Sequence, residues 1–364
     1  RVGQDTVVVS IAGADMRLSV DARNRVLGGT IPSQGIAIDR RDGPTAAFTP
    51  DKLDYSAPGG APYRAIEVMV PTPMGHSLAG TLTIPRGAAA GSKVPAVVTI
   101  TGSGAQDRDE YISLVKDYRP FRQLADSLGR RGIAVLRMDD RGFGGSGGNA
   151  ATATSADLAD DIRAGLAFLR DRPEIDGSRL GLVGHSEGGL IAPMVAATDP
   201  RLAGIVLMAG TSRPGLPILE FQIRNGITQD TSRSPRVRDS MLAGVPAYVD
   251  SLAKSQPWLQ YFLEYNPATT ARRVTVPALI VQGGTDQQVT PDQAPELRDA
   301  LLAAGNRDVT MKVFENLNHL FIYDPNGFPG GYTALKSGRV EPAVIGMVVD
   351  WLAKRLIDGR PKAD

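Results

Sequence analysis

Residues 181–190 read GLVGHSEGGL, an apolar run that passes through a glycine-flanked serine into a helix-like segment. A serine hydroxyl is a weak nucleophile until a base takes its proton, so Ser186 needs a histidine from elsewhere in the chain. Three are available. His185 is adjacent to the serine, and consecutive side chains on a sharp turn diverge, so it reads as local packing or hydrogen bonding. His76 precedes a strand and reads as an exposed or capping residue. His319, in FENLNHLF between the last strand-like run and the C-terminal helix, remains as the base. Such an imidazole needs a carboxylate to fix its tautomer and to stabilise its charged form. Asp286, in VQGGTDQQV, follows a buried strand directly, and Gly283 and Gly284 let the chain turn there. Glu315 and Asp324 are nearer to His319 in sequence, but neither ends a sheet strand in that way.

Attack on a carbonyl places charge on its oxygen, and that charge calls for aimed hydrogen-bond donors. The backbone N–H of Glu187, at the start of a helix whose dipole also favours an anion, is one expected donor. The other is expected in the loop TGSGAQDRDE after the strand AVVTIT, with Ser103 ahead of Gly104 and Gln106. Losing one such donor typically costs on the order of 10²–10³ in turnover. The cluster Asp107-Arg108-Asp109-Glu110 has two readings: Arg108 steers an acidic substrate, or the four residues form an ion-pair network that holds the loop. The structural reading is preferred. It is preferred also for Asp139, Asp140 and Arg141 in the turn after the next strand.

These residues need elements to position them. G-x-S-x-G alone is a weak signal in a chain with 41 glycines, and its setting carries the weight. RLGLV precedes it and GGLIAPMVAAT follows, the strand–turn–helix context of a nucleophile elbow. Gly184 and Gly188 supply the room that a serine in a sparsely populated backbone region requires. From about Ala65 a strand pair (AIEVMVPT, HSLAGTLTIP) leads into Val- and Ile-rich runs at 94–102, 132–140, 179–186, 202–210, 276–284 and 309–316. Runs apolar on both faces suit a parallel sheet buried between helices. Helical spacing of Leu158, Ile162, Leu166 and Leu169 predicts a helix over 155–170.

The expected fold class is therefore α/β, a mostly parallel sheet flanked by helices. About sixty residues between Gly210 and Val276 exceed a simple crossover. They are read as a helical cap over the strand ends, where Trp258, Tyr261, Phe262 and Tyr265 either line an apolar substrate pocket or pack the cap's own core. Residues 1–48 alternate as β-hairpins do, and 48–63 read as a linker. The expected organisation is a β-rich segment with linker at 1–60, a catalytic domain at 61–211 and 273–364, and the cap at 212–272.

Composition excludes several classes. With 40 Lys and Arg against 39 Asp and Glu, net charge is +1 and no run of one sign forms a phosphate-attracting face, so nucleic acid is not an expected partner. No stretch reaches the roughly 20 apolar residues of a membrane span. The absence of cysteine from the sequence removes disulfides, thiolate catalysis and cysteine metal sites. Scattered histidines offer no metal-binding spacing, and no cofactor is expected. The start at Arg1, with the Ala-, Gly- and Pro-rich composition, points to export, the cytoplasm being the alternative.

The segments GSGAQDRDE (102–110), DDRGFGGSGG (139–148), GHSEGG (184–189), PWLQYFLEYNP (257–267), VPALIVQGGTDQQV (276–289) and LNHLF (317–321) together resemble serine esterases of the α/β-hydrolase superfamily. The resemblance is to the branch related to dienelactone hydrolases and prolyl-oligopeptidase-type catalytic domains, and it covers roughly residues 65–360. The chain order Ser186, Asp286, His319 is the order of that superfamily. The resemblance implies this triad, a helical cap and carboxylester hydrolysis without a cofactor. Small-molecule esters with short acyl chains are the expected substrates, because no basic cluster suits phosphorylated or coenzyme A substrates and the N-terminal segment is too short for a substrate-screening propeller. A homodimer is among the expected assemblies. Two rival readings stand beside it: a peptidase or amidase using the same triad, and a catalytically silent binding protein on the same fold.

Overall fold

The computed structural model describes residues 6–11, 14–31, 36–40, 53–254 and 256–358. The alternating N-terminal runs form an antiparallel sheet of four strands in chain order: β1 (Thr6–Ile11), β2 (Ala14–Val20), β3 (Val26–Ile31) and β4 (Ile36–Asp39). Of the expected linker, residues 48–52 lie outside the described residues.

The second sheet is built from β5 (Tyr63–Pro71), β6 (Ser77–Pro85), β7 (Val94–Ile100), β8 (Ala134–Met138), β9 (Ile175–His185), β10 (Gly204–Met208), β11 (Ala278–Gly283) and β12 (Val309–Phe314). Their order is β12-β11-β10-β9-β7-β8-β6-β5. The hairpin β5–β6 and the pair β6–β8 are antiparallel, and every pairing from β8 across to β12 is parallel. The strand-like runs of the sequence are thus the strands of one mostly parallel sheet. The central strands β7, β8, β10 and β11 are short and buried on both faces because helices cover both sides, while the edge strands β5 and β12 are part exposed.

Those helices are α1 (Pro120–Arg130), α2 (Ser155–Arg170), α3 (Glu187–Ala196), α4 (Gly215–Gln229), α5 (Pro235–Ala253), α6 (Pro257–Glu264), α7 (Pro267–Ala271), α8 (Gln293–Ala303) and α9 (Pro342–Ala353). Helix α2 spans the predicted residues because Thr154 and Asp157 close a capping box at its start. Side-chain alternation along the strands divides the core in two. Val97, Val135, Val183 and Val206 pack with Phe121 and Leu124 of α1 and Val348 and Leu352 of α9. Their neighbours Val98, Leu136, Leu182 and Ile205 pack on the opposite face with Leu166 of α2, Leu190 of α3 and Leu297 of α8. Each such buried side chain contributes about 1.5–3 kcal/mol relative to exposure.

Helices α4 to α7 all fall between β10 and β11. Val245, Val249, Leu259 and Leu263 of this insertion join the α2–α3 side of the core. No helix among the described residues is long and apolar enough to cross a membrane. Parallel neighbours end at one edge of a sheet, so the loops after β7, β9, β11 and β12 meet there, where open α/β sheets hold their ligands.

Candidate active site

Ser186 stands alone between the end of β9 and the start of α3, at φ 54° and ψ −117°. This backbone region costs a non-glycine residue on the order of 1–3 kcal/mol and persists only where surrounding contacts enforce it. Here the Ser186 N–H donates to the Met208 carbonyl (2.8 Å) and the Gly189 N–H donates to the Ser186 carbonyl (2.9 Å). Close packing explains the flanking glycines. A Cβ at Gly184 would overlap the Gly188 carbonyl, and one at Gly188 would overlap the carbonyl of Ile100 on β7.

Asp286 follows β11 and is buried, as is His319 in the loop after β12. Asp286 Oδ2 lies 2.7 Å from His319 Nδ1 and also accepts from Gln282 Nε2 (2.9 Å). Its Oδ1 accepts from the backbone N–H groups of Gln288 (2.8 Å) and Val289 (3.0 Å). A carboxylate so fully engaged as acceptor leaves the proton on His319 Nδ1 and the lone pair on Nε2. The nearby acids are elsewhere: Glu315 is exposed, and Asp324 accepts from Asn318 Nδ2. No hydrogen bond joins the Ser186 hydroxyl to His319 among the described residues. The two loops meet instead through His185, whose ring centroid is 4.8 Å from that of His319.

The loop after β7 runs against the serine, since a Cβ at Gly102 would lie 3.3 Å from Ser186 Cβ. Ser103 is exposed at its tip, and its carbonyl accepts from Gln106 Nε2 (3.0 Å). Glu187 is the first residue of α3, where backbone N–H groups have no partner within the helix. Its side chain is buried, and its Oε1 accepts from Ser155 Oγ (2.6 Å) and Trp258 Nε1 (2.8 Å). Burial pushes this carboxyl above its ordinary pKa, against the pull of hydrogen bonds from Ser155, Trp258 and Ser103.

Among the expected pocket aromatics, Trp258 therefore reaches the elbow, and its ring stacks on Phe262 at 5.5 Å between centroids. Phe262 is buried in the core, and Tyr261 stacks on Tyr265 at 5.4 Å.

The acidic cluster is a network. Buried Arg108 donates twice to Asp139, through Nε and Nη2 (2.9 Å each), and through Nη1 to Glu67 (2.7 Å) and Thr81 (2.8 Å), with Tyr55 against its guanidinium. It is consumed by scaffold contacts rather than turned to solvent, as the structural reading expects. Asp109 pairs with Arg137. Asp140 accepts from Thr101 Oγ1 (2.9 Å) and Gln106 N (2.9 Å), and burial holds its carboxyl well above the usual range. One expectation needs correction. His76 is not an exposed residue: its Nε2 lies 3.2 Å from Asp161, which also takes Arg141 Nε (2.6 Å), because the loop before β6 packs against α2.

Sequence reasoning missed Glu110. Its buried Oε1 accepts from the Gly102 N–H (2.9 Å) and lies 2.7 Å from His185 Nδ1, while His185 Nε2 lies 2.9 Å from the His319 carbonyl oxygen. Burial drives the His185 imidazole toward neutrality, but the Glu110 carboxylate outweighs it and the pKa is raised. The signal was the presence of a histidine beside Ser186 and an unassigned acid at the end of the loop after β7.

A mostly parallel, helix-covered sheet with a strained serine turn after a central strand defines an α/β-hydrolase fold. The chain belongs to the family described as serine aminopeptidase, S33, whose profile matches residues 114–326. It is 29% identical over 286 residues to esterase EstD of Thermotoga maritima, covering 77% of this chain and 66% of that protein. Among solved structures, the Pyrococcus furiosus esterase Pf2001 superposes with a TM-score of 0.55 at 17% identity, covering 85% of this chain and 97% of that one. Est1E of Butyrivibrio proteoclasticus, solved with ferulic acid bound, gives 0.52 at 15% identity, covering 79% and 98%. At such identities these structures speak to the fold.

Proposed function

We propose that the protein is a serine hydrolase that cleaves carboxylic esters with short acyl chains through an acyl-enzyme. Ser186 is the nucleophile, His319 the base and Asp286 its orienting carboxylate. In this reading His319 Nε2 takes the Ser186 proton as the hydroxyl oxygen attacks the ester carbonyl. The Glu187 and Ser103 N–H groups receive the charge that develops on the carbonyl oxygen, and Asp286 stabilises the imidazolium. His319 then returns the proton to the departing alcohol. Water attacks the acyl-serine with the same base, releasing the acid and restoring the serine. The insertion α4–α7 serves as the cap, with Trp258 on its inner side. The observation that carries the reading is the coincidence of a serine held at φ 54° with an imidazole whose Nδ1 is 2.7 Å from a saturated carboxylate, on loops from one sheet edge.

The family's description as a serine aminopeptidase supports a second reading, amide hydrolysis by the same groups. Labelling with a fluorophosphonate and mapping the modified residue tests the nucleophile. The adduct is expected on Ser186, and Ser186→Ala should leave neither adduct nor turnover of p-nitrophenyl acetate or butyrate. Hydrolysis of an aminoacyl p-nitroanilide with no ester turnover would favour the second reading. Activity of Ser186→Ala within about tenfold of the parent would remove the triad.

A further inference from the structure

Three strands of chain must hold their places for the proposed chemistry: the elbow, the loop carrying Ser103 and the loop carrying His319. One carboxylate touches the first two, and through His185 it reaches the third. Glu110 Oε1 accepts from the Gly102 N–H, one residue before Ser103, and faces His185 Nδ1 at 2.7 Å. On its other side His185 lies 2.9 Å from the carbonyl oxygen of His319 itself. We propose that Glu110, acting through His185, is a positioning residue that sets the oxyanion loop and the base against the nucleophile. The inference rests on the triad reading above.

The protons follow from the partners. A carbonyl oxygen only accepts, so His185 Nε2 carries hydrogen. Glu110 Oε1 accepts the Gly102 N–H and faces Nδ1 at 2.7 Å, and this neighbour, outweighing burial, raises the affinity of the imidazole for a second proton. The result is a buried histidine–glutamate pair whose two ends are anchored on backbone groups of the two loops. Both side chains are buried, so breaking the pair leaves a buried polar group without its partner.

Two further observations argue that the link is held rather than incidental. Glu110 sits at φ 58°, a left-handed conformation that a side chain as long as glutamate does not adopt without compensation. A Cβ at Gly102 would meet both Glu110 Oε1 (2.9 Å) and Ser186 Cβ (3.3 Å), so Gly102 is packed between the carboxylate and the serine. His185 is covalently next to Ser186, and its ring also packs edge-on to Phe321 at 5.9 Å between centroids. A shift of this ring therefore moves the His319 backbone relative to the serine. Productive geometry tolerates displacements of only about 0.5 Å.

The test compares the full chain with Glu110→Gln and with the double variant Glu110→Met/His185→Phe, which removes both buried polar partners at similar volume and so spares the fold. Active sites are counted by fluorophosphonate titration, and kcat and KM for p-nitrophenyl butyrate are referred to titrated sites. Misplacement of catalytic groups should lower kcat per titrated site by about 10²-fold in both variants, with KM within about threefold of the parent. A merely structural role would instead lower the titratable fraction or the Tm and leave kcat per site within about threefold, and that result overturns the proposal. Failure of both variants to fold would assign Glu110 to folding and overturn it equally. A parent chain that neither turns over the ester nor takes the label would count against the proposed function, a distinguishable outcome.

Discussion

Asp286 engages four donors, three from its own turn and the preceding strand and one from His319. An amide that keeps its oxygen on the Gln288 and Val289 N–H groups would turn its NH2 toward both His319 Nδ1 and Gln282 Nε2, each a donor now. The imidazole would answer by moving its proton to Nε2, the atom that the proposed mechanism needs free. Asp286→Asn should therefore keep the fold and lower kcat by about 10³–10⁴-fold with little change in KM. Stopped or steady-state hydrolysis of p-nitrophenyl butyrate reads it, and a kcat within about tenfold of the parent would contradict the assignment. His185 shows how a residue scale argument from sequence reaches its limit. Its adjacency to Ser186 argues against a role as base, but the partner of its ring lies at a separation of 75 residues and that of its other nitrogen at 134. No local pattern carries such contacts.

At the scale of elements, the bond from Trp258 Nε1 to Glu187 Oε1 ties the insertion to the elbow. The aromatic cluster PWLQYFLEYNP signals an apolar helix face, but it does not say which ring meets the catalytic side. The structure separates them: Phe262 is core, Tyr261 stacks with Tyr265, and Trp258 spans the boundary between α6 and α3. Trp258→Phe keeps the stack on Phe262 and deletes the donor to a buried carboxyl, at a cost of about 1–3 kcal/mol. Because that N–H favours the charged form of Glu187, the loss should be larger at about pH 8 than at about pH 5. Urea denaturation at the two pH values measures it, and equal or reversed losses would contradict the link.

Across the whole molecule, buried protonatable groups set a direction for stability against pH. Burial raises the carboxyls of Asp140 and Glu187, from ordinary values of 3.8 and 4.5. The His185 imidazole, lowered by burial but raised more by Glu110, also ends above its ordinary 6.5. Each binds its proton more tightly folded than unfolded, so its contribution is complete below the unfolded pKa and is lost as pH climbs through the folded one. The losses begin above pH 3.8 for Asp140 and 4.5 for Glu187, and His185 adds to them above 6.5. Opposing groups act at lower pH. Asp199, pushed up by burial but held low by Arg201 and Arg170, loses its contribution as pH falls below 3.8 through its folded value. The Tm should therefore be higher at about pH 5.5 than at about pH 8.5, and Glu187→Gln should reduce the difference. A Tm that climbs steadily across that range would overturn this account.

The amino-acid order by itself determined the mostly parallel sheet, because strand-length apolar runs and glycine turns are local signals that burial on two faces requires. It also narrowed the candidate chemistry to Ser186, His319 and Asp286, since a chain with three histidines and no cysteine leaves few bases and no thiol. Only the tertiary structure decided which surfaces meet. It seated His76 on Asp161, consumed Arg108 in the scaffold, aimed Trp258 at the elbow and strung Gly102, Glu110, His185 and His319 together. The physical reason is that a buried polar group must find its partner in three dimensions, and that choice is settled by strand register and loop closure rather than by neighbours in the chain.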